Sequence, residues 1–565
     1  MHIYIDDNSN PMKEFQLPAD FKPELSRTNP FLSDEGSQSV PLTLPASDHN
    51  LNEIGFMYRG TFTQRINPKI PVIMADGASW LRGTLYIEQA NKIEGINCTF
   101  YTNEGQLYEK IKDYKLRDLN WPELKGMGSD YATKAKYWMN KFLRIIQGNE
   151  VQPDEYYICN VWTENNFYIG ESKRGTHLLL NELSYENDVL SFYAMSEQVY
   201  YEENDDNATE ITAPVGFGIT PFLRVGYVLK HLFKELGYSL ETNMFDTNES
   251  LKRLIVLNNV ADAIIDGNIY FNQLLPNVSV EEFLNAIRLK FGLEFIQRGN
   301  YVYINWWKDN LKSSPDMDLS QYIRNTETFL LEDRKAISLD FEALTTQPDY
   351  VHIRNVDFEK QKNDSLLKHM SPSGFTEESI DITDKTPYYY QNLTAYMLEA
   401  GMAGTARSLR TIFINEVQYR NSNLVVNGEL NDENGEDMDI AFCFSSTTIS
   451  TLDWVSHGKK KYIEASCISD YLSLFASEYK TTETVYYANN IYNLLYKDRD
   501  MMLRKANQGI IAHAHIASHI ISTMDISVPK IINGKKVMIE RIDYVLGRPD
   551  LCQITARTLH LFPEE

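Results

Sequence analysis

Residues 26–50 read SRTNPFLSDEGSQSVPLTLPASDHN, and three of them are prolines: Pro30, Pro41 and Pro45. Within this stretch the apolar residues of Val40–Leu44 alternate with others, which is the pattern of a β-strand. Pro41 and Pro45 have no backbone N–H to donate, so a strand in the middle of a sheet is unfavourable. We therefore expect an edge strand, or an extended arm that lies on a neighbouring surface.

The whole chain has the composition of a soluble globular protein. Its 565 residues are 43% hydrophobic and 23% charged, and a chain of this length is expected to form about three to five domains. The 35 tyrosines suit half-buried sheet faces and subunit interfaces, because tyrosine joins an apolar ring to a polar tip. The formal charge of −24 argues against tight binding to a nucleic-acid backbone. An equally good explanation is that this charge only keeps a large protein soluble.

The cysteines and the N-terminus indicate synthesis in a cytoplasm. Five cysteines lie far apart without CxxC or CxxH spacing, so neither a disulfide framework nor a structural zinc site is expected. They are predicted to be reduced thiols. The first residues, MHIYIDDNSNPMKEF, lack the basic and apolar regions of a secretion signal. No apolar run approaches the length of a membrane span.

The order of elements predicts an α+β, β-rich and multidomain fold, built from small β-barrel or sandwich domains with inserted α/β units. Strand patterns recur along the chain, whereas helical patterns are few and isolated. No repeat of 20–50 residues is visible, so a solenoid or a propeller is not expected. The predicted segments are an N-terminal arm with a barrel-like domain (1–125), a helix with a β-rich insertion (126–215), an α+β domain (216–310), a second barrel-like β-rich domain (311–420) and a C-terminal α+β domain that ends in a hairpin (421–565).

Local signals place several elements. Thr220-Pro221 predicts a helix that begins with proline in its first turn and ends at Gly237. Ser279 and Glu282 form a capping box ahead of a second helix, and a hairpin that turns at residues 298–300 follows it. Asn533-Gly534, between two strand patterns, is the strongest two-residue hairpin signal.

Two motifs resemble cofactor or ion sites. Gly216-Phe217-Gly218 precedes the predicted helix as in a dinucleotide-binding loop, but Pro221 stands where close helix packing needs a small residue. We predict a glycine-rich entry to a capped helix instead. The acidic run 431–439 does not fit the register of a calcium-binding EF-hand loop, and an acidic β-turn is expected there. No cofactor is predicted.

A histidine cluster is a weak candidate for a metal site. His513, His515 and His519 stand in the run HAHIASH. The first two share a face of a strand and the last two share a face of a helix, so neither structure aligns all three. Carboxylate ligands are also missing from the pattern. We predict no metal here, and a polar segment at a surface or subunit contact is the alternative.

No catalytic signature is evident. GxSxG, HExxH and Walker A motifs are absent from the sequence. The 78 acidic residues could supply a carboxylate pair for glycoside hydrolysis, but the sequence does not give the separation that this chemistry needs. The aromatic runs Trp306-Trp307, Tyr388–Tyr390 and Tyr486-Tyr487 could stack on sugars, although cross-strand packing is their ordinary use. The sequence predicts a protein that is not an enzyme.

Several stretches together resemble structural tail proteins of phages and prophages of Bacteroidetes. Three of them are Asn29–Pro45, Pro221–Leu240 and Leu275–Ile304. The closing pattern, IINGKKVMIERIDYVL and then CQITARTLHL, is similar to the final strands of baseplate hub and tail-associated proteins. The resemblance implies small β-barrels arranged in a ring, often trimeric, that continues the tail tube and carries the tip. It carries no catalytic residues to transfer.

The leading hypothesis is therefore a baseplate hub or tail-tip protein of the virion tail, with other tail proteins as partners and DNA passing through the lumen without tight binding. A homo-oligomer is expected, a trimer above all. A receptor- or glycan-binding tail protein is the main alternative, and a hydrolase of cell-wall glycan is the third. The expected subunit contacts lie in the arm and the C-terminal hairpin: Pro30, Phe31, Leu32, Val40, Leu42, Leu44, Ile532, Val537 and Ile539.

Overall fold

The structure is a computed structural model that describes most of the first 331 residues and the last part of the chain. Up to residue 331 it describes all but 8–10, 19–20, 30–39, 56–68, 78, 103–106, 108–110, 113, 160, 164–166, 170–174, 177–178, 187–188, 205–206, 249–250 and 326. Beyond residue 331 it describes 335–338, 352–353, 378–381, 395–400, 407–414, 425–426, 429–430, 442–454, 458–467, 498–499, 502 and 508–559.

The first part of the chain forms a six-stranded sheet, here called the N-terminal sheet. Its neighbouring strands are antiparallel. Across the sheet the order is Glu14–Phe15, His2–Ile5, Lys69–Asp76, Ser79–Asn91, Gly95–Thr102 and Val40–Leu44. Val40–Leu44 is thus an edge strand, as its prolines predicted, and Pro41 lies opposite Thr99.

The end of the chain forms the C-terminal sheet, which also includes a strand of the N-terminal arm. The order is Thr328–Leu331, Gln508–Ala514, Arg548–Thr558, Lys535–Val545 and Glu24–Thr28, and Lys530–Ile532 also pairs with Lys535–Val545. The predicted hairpin at Asn533-Gly534 is confirmed, and both residues have positive φ, 47° and 75°. Glu24–Thr28 runs antiparallel to the strand that contains Arg541.

The two sheets share one hydrophobic core and together form a unit that we call the sandwich. Side chains from the first 100 residues and from 510–556 pack in the same cluster. Residues 24–50, here called the arm, contribute to both sheets, because Glu24–Thr28 belongs to the C-terminal sheet and Val40–Leu44 to the N-terminal sheet. The two ends of the chain therefore fold as one body, although about 400 residues separate them in sequence.

Two buried asparagines fasten the arm to this body. The Asn29 side chain donates hydrogen bonds to the carbonyls of Ile526 and Ile539, each at 2.7 Å. The Asn50 side chain donates to the carbonyls of Gln16 and Pro45, each at 2.9 Å. Both residues are fully buried. Buried backbone carbonyls need hydrogen-bond donors. Each asparagine side chain therefore donates to two carbonyls in place of backbone N–H groups.

Between the two ends lies a second core, here called the central unit. Its buried residues come mainly from 107–311. The helices of the described chain are Asp48–Glu53 and Ser518–Thr523 in the sandwich, and Tyr131–Ile146, Val225–Glu235, Met244–Thr247, Val280–Lys290 and Trp307–Lys312 in and around the central unit. One-turn 3-10 helices are Leu116–Asp118, Tyr193–Met195, Leu251–Arg253, Phe271–Leu274 and Ser320–Tyr322.

Small sheets complete the described structure. One has the order Ser239–Leu240, Tyr301–Trp306 and Leu293–Arg298, and two-stranded sheets join Glu123–Lys125 to Asn268–Tyr270, Tyr156–Tyr157 to Phe222–Leu223, Leu183–Glu186 to Val189–Phe192, and Lys335–Ser338 to Glu378–Asp381. A five-stranded sheet has the order Leu179–Leu180, Val161–Thr163, Arg407–Ile414, Ala395–Ala400 and His352–Ile353. A six-stranded sheet has the order Gly175–Thr176, Phe167–Ile169, Gln198–Asn204, Asn207–Ala213, Val425–Val426 and Glu429–Leu430. A three-stranded sheet has the order Leu254–Val256, Phe442–Trp454 and Gly458–Cys467. The predicted α+β, β-rich class is confirmed.

The predicted start of the helix at Pro221 is wrong. Phe222–Leu223 instead forms a short strand against Tyr156–Tyr157, and the helix begins at Val225. The Thr220 hydroxyl donates to the side chain of Asn258 at 3.0 Å instead of capping the helix. Tertiary pairing has therefore overridden a local capping signal.

The second helix follows its prediction. Ser279 accepts a hydrogen bond from the backbone N–H of Glu282, and the Glu282 carboxylate accepts from the backbone N–H of Ser279. The helix runs over Val280–Lys290, and the hairpin Leu293–Arg298 with Tyr301–Trp306 follows it. The capping box is thus confirmed together with its hairpin.

Replacing Ser279 by alanine is expected to lower the free energy of unfolding of the central unit by about 1 kcal/mol, because the cap then loses its acceptor. Urea unfolding followed by circular dichroism measures this change. Ser129→Ala is the matched control, since the Ser129 hydroxyl bonds only to the exposed neighbour Asp130. An equal effect of both substitutions would contradict a specific role for the cap.

Candidate functional site

A polar cleft of about 370 Å³ lies on the outer face of the C-terminal sheet. Ser26, Asp543, Gln553 and His513 are successive cross-strand partners, so these four side chains form one row across four strands. The neighbouring row, Leu25, Tyr544, Cys552 and Ala514, points into the core of the sandwich. Successive side chains of a strand point to opposite faces of the sheet, so the polar row lines the cleft while the neighbouring row lies in the core.

Two ion pairs order the carboxylates of the cleft. Arg541 donates from Nε to Oδ1 of Asp543 at 2.7 Å. Arg548 donates to both oxygens of Asp550, at 3.1 and 2.9 Å, and these bonds hold the pKa of Asp550 below its usual value. Both carboxylates keep further lone pairs for other donors. The charge of each is offset, but its capacity to accept hydrogen bonds is not exhausted.

Ser26 is one of the residues that line this cleft, but its hydroxyl oxygen is shielded from solvent. Its side chain is only 5% exposed, and its hydroxyl has no hydrogen-bond partner among the residues that the structure describes. Buried hydroxyls are rarely left without a partner, because each such group loses its hydration. The thiol of Cys552, by contrast, faces the core, and burial raises its pKa to about 12, so it is a poor nucleophile.

An exposed edge strand lies at the other side of the same sheet. Thr328–Leu331 pairs only with Gln508–Ala514 among the described strands. Phe329 and Leu330 on this strand are 39% and 38% exposed. We call this strand the free edge. A row of unpaired backbone groups beside apolar side chains is a template for pairing with another chain.

The outer face of the N-terminal sheet carries an aromatic stack. The rings of His2 and Tyr4 lie 5.6 Å apart, and those of Tyr4 and Trp80 lie 6.3 Å apart and nearly parallel. Trp80 is 54% exposed. Stacked rings with one open face can bind the apolar face of a ligand.

The structure describes six of the nine residues that are expected to form subunit contacts. The described ones are buried in the core of the sandwich: Val40, Leu42, Leu44, Ile532, Val537 and Ile539. Pro30, Phe31 and Leu32 lie outside the described residues. Since these side chains are already covered, a subunit contact at the arm or the hairpin would use their outward-facing residues. The contact itself stays a prediction.

The three histidines are not brought together. His513 ends a strand, His515 lies in a loop and His519 lies in a short helix, and all three are exposed. In the part of the chain that the structure describes, no three His, Cys, Asp or Glu side chains are placed to hold a metal ion. The predicted acidic turn at 431–439 and the tyrosines of 388–390 and 486–487 lie outside the described residues.

The glycine-rich loop is a structural turn. Gly216 and Gly218 have φ of 89° and 84°. The backbone N–H of Gly216 donates to the carbonyl of Ala194, and that of Gly218 donates to the carbonyl of Ala261. A third buried asparagine, Asn181, bridges the loop to Thr220. Because these amides are occupied and an extended segment follows, the loop lacks the helix terminus that holds a phosphate.

A buried carboxylate is the site that sequence patterns missed. Glu294 is 1% exposed and accepts from Nε of Arg288 at 2.8 Å and from the indole of Trp307 at 3.3 Å. The guanidinium of Arg499 lies 3.9 Å from the Trp307 ring centre. Burial raises the pKa of Glu294, and the charge of Arg288 opposes this shift. Only the unusual placement of a glutamate in the apolar strand LEFIQR could have signalled it.

No family model and no curated protein matches this chain. The solved structures that match include the 43 kDa tail protein of prophage MuSo2 from Shewanella oneidensis, which aligns over 99% of this chain and 98% of its own, with 8% identity and a TM-score of 0.28. A score this low does not establish a common fold. Among the described helices, none is long and apolar enough to cross a membrane.

Proposed function

We propose that the protein is a structural component of a phage tail, a baseplate hub or tail-tip protein that forms a homo-oligomeric ring around the tail channel. The resemblance of Asn29–Pro45, Pro221–Leu240, Leu275–Ile304 and the closing strands to tail proteins supports this function. In this role the protein acts through its geometry and is not an enzyme. Its place is the virion tail.

The observation that carries the assembly proposal is the free edge. The sandwich buries the apolar side chains of Val40–Leu44 and of the C-terminal hairpin in its own core. Thr328–Leu331 nevertheless keeps one side without a strand partner in the described structure, and presents Phe329 and Leu330 there. Proteins usually protect such edges with charges or proline. Here the ammonium of Lys535 lies 4.9 Å from the centre of the Phe329 ring. The edge still presents two partly exposed apolar side chains, which fits strand pairing between subunits.

The net charge suits a channel. A ring of subunits that each carry a formal charge of −24 repels the DNA backbone. DNA would then pass without being held, because tight binding requires lysine or arginine contacts to phosphates. Trimeric symmetry is the form that the family resemblance favours.

Replacing Leu330 by lysine is expected to weaken self-association at least tenfold, because the ammonium group must be desolvated when a second strand pairs there. Light scattering after size-exclusion chromatography should give a multiple of 65.3 kDa for the wild type and a shift towards 65.3 kDa for the variant. Val151→Lys is the control, since Val151 is 87% exposed and far from the edge in sequence. A monomeric wild type would contradict the ring, and an unchanged variant would contradict this edge as its contact.

A receptor- or glycan-binding tail protein is the second candidate. The observation that favours it is the stack of His2, Tyr4 and Trp80, whose open indole face suits the C–H face of a sugar.

Trp80→Ala should then abolish retention on immobilised host glycan while the oligomer mass stays unchanged. Retention that survives this substitution would contradict a role for the stack.

A further inference from the structure

We propose that Cys443 and Cys467 form a disulfide bond when the protein meets an oxidising thiol–disulfide pool. The two residues are direct cross-strand partners in the antiparallel pair of Phe442–Trp454 with Gly458–Cys467. The sequence alone did not indicate this pairing, because 23 residues separate the two cysteines and no CxxC or CxxH motif contains them. The bond would be a covalent modification of the three-stranded sheet to which both strands belong.

The backbone register meets the first geometric condition for a disulfide. Directly opposed residues of an antiparallel pair have Cα atoms about 4.5–5.5 Å apart, and a disulfide usually joins Cα atoms about 4.4–6.8 Å apart. Opposed residues also lie on the same face of their sheet. The next two pairs, Phe444 with Ser466 and Ser445 with Ala465, continue the same register, and the shift of register in this hairpin comes only beyond them.

The bond would fasten the end of a strand to the central unit. Cys467 is the last residue of its strand, and strand pairing opens most easily at an end. On its other side Cys443 pairs with Ile255, which is buried in the core of the central unit. The bond would also close a loop that contains the whole hairpin. Because a closed loop restricts the unfolded chain, the oxidised protein should unfold at a higher urea concentration than the reduced protein.

The remaining three cysteines are poorly suited to compete for the oxidant. Cys98, Cys159 and Cys552 are buried free thiols. Burial raises the pKa of both Cys98 and Cys552 to about 12, and the thiolate is the form that attacks a disulfide. The cross-strand partners of these two residues are not cysteines. Oxidation should therefore be selective for the opposed pair.

The chemistry is thiol–disulfide exchange with a small disulfide, here oxidised glutathione. The thiolate of one cysteine attacks a sulfur of glutathione disulfide, so a mixed disulfide forms and one glutathione leaves. The thiolate of the other cysteine then attacks the protein sulfur of the mixed disulfide and releases the second glutathione. Two cysteine thiols are oxidised, one glutathione disulfide is reduced to two thiols, and the two cysteine protons pass to the released thiolates.

The bond itself does not depend on the proposed function, but the time of its formation does. A virion protein is made in a reducing cytoplasm and later leaves it. Under the function proposed above, the thiols would stay reduced during assembly, and the bond would form after release of the virion.

Peptide mapping of the full chain tests the proposal. The purified protein is equilibrated with reduced and oxidised glutathione, free thiols are blocked with iodoacetamide, and the protein is digested with trypsin without reduction. Trypsin cleaves at Lys459–Lys461, so only the bond keeps the two cysteine peptides together. The joined pair should separate on reduction. It should also be at least about tenfold more abundant than either peptide with glutathione attached, because the second attack is intramolecular.

Cys467→Ser should remove the joined pair and leave glutathione on Cys443. Cys159→Ala is the control, since it removes a buried cysteine elsewhere in the central unit and should keep the joined pair. Oxidation should raise the urea midpoint of the wild type and leave that of Cys467→Ser unchanged. Circular dichroism checks that both variants are folded.

Three outcomes would overturn the bond: wild-type peptides that carry only iodoacetamide or glutathione, a disulfide from either residue to another cysteine of the chain, and a joined pair found only in covalent dimers on a non-reducing gel. Light scattering of the same samples measures assembly separately. A monomer that contains the bond would contradict the ring alone, and a ring without the bond would contradict this inference alone.

Discussion

Replacing Arg288 by methionine is expected to lower the free energy of unfolding of the central unit by about 3–5 kcal/mol. The substitution keeps an unbranched apolar stem but removes the guanidinium, whose Nε donates to Glu294 at 2.8 Å. Glu294 is then a buried carboxylate without the guanidinium that donates to it, and the Trp307 indole and the charge of Arg499 offset only part of its desolvation. Urea unfolding followed by tryptophan fluorescence should report the loss, because Trp307 contacts the same carboxylate.

Arg144→Met is the matched control. Arg144 pairs with Glu150 at 3.0 Å on the surface, where both partners are solvated. An exposed pair of this kind contributes about 1 kcal/mol or less. If the two substitutions had equal effects, Glu294 would not depend on Arg288.

The loss caused by Arg288→Met should also depend on pH. Burial raises the pKa of Glu294 above its ordinary value of 4.5, so the native state holds this proton more tightly than the unfolded chain does. The contribution of Glu294 is therefore present at low pH and falls as pH rises through the raised pKa. Without Arg288 the pKa rises further, and the variant should lose less stability at pH 5 than at pH 8. Adding Glu294→Gln should remove this difference.

Replacing Asn29 by leucine is expected to cost about 2–4 kcal/mol, because the carbonyls of Ile526 and Ile539 lose their donor inside the sandwich. The effect should be local. Hydrogen exchange measured by mass spectrometry should rise in peptides that contain Glu24–Thr28 and Lys535–Val545, since these two strands pair next to Asn29. The central unit should keep its protection.

Asn149→Leu is the control for this experiment. Asn149 is exposed and its side chain donates only to Gln147, at 3.3 Å. Its loss should change neither exchange nor stability by a measurable amount. Unchanged exchange at Glu24–Thr28 in Asn29→Leu would show that the arm is held by strand pairing alone.

The elements that the sequence predicted well depend on local contacts. The capping box at Ser279 and the turn at Asn533-Gly534 place their partners within three residues, so short motifs contain the whole signal. The edge position of Val40–Leu44 followed from Pro41, because a missing donor excludes an interior strand. The prediction that Thr220 caps a helix was wrong, because its hydroxyl donates to Asn258, 38 residues away.

The features that the sequence did not predict depend on distant partners. Asn29, Asn50 and Asn181 resemble ordinary loop residues in the sequence, yet each satisfies backbone groups inside a core. The cleft brings Ser26 beside Asp543, and no periodicity along one strand relates residues so far apart. Glu294 would have been assigned to a solvent-facing position, because glutamate is almost never fully buried without a partner.

The folding of the sandwich depends on the order in which the ribosome synthesises the chain. The partner of Thr28 is Arg541, so a further 513 residues must be synthesised after Thr28 before this pair can form. At about 5–20 residues per second that delay is about 25–100 s. During this time the nascent N-terminal sheet lacks the sheet that covers its apolar face. We therefore expect a chain truncated before residue 508 to be retained by chaperones, whereas the full-length chain is released.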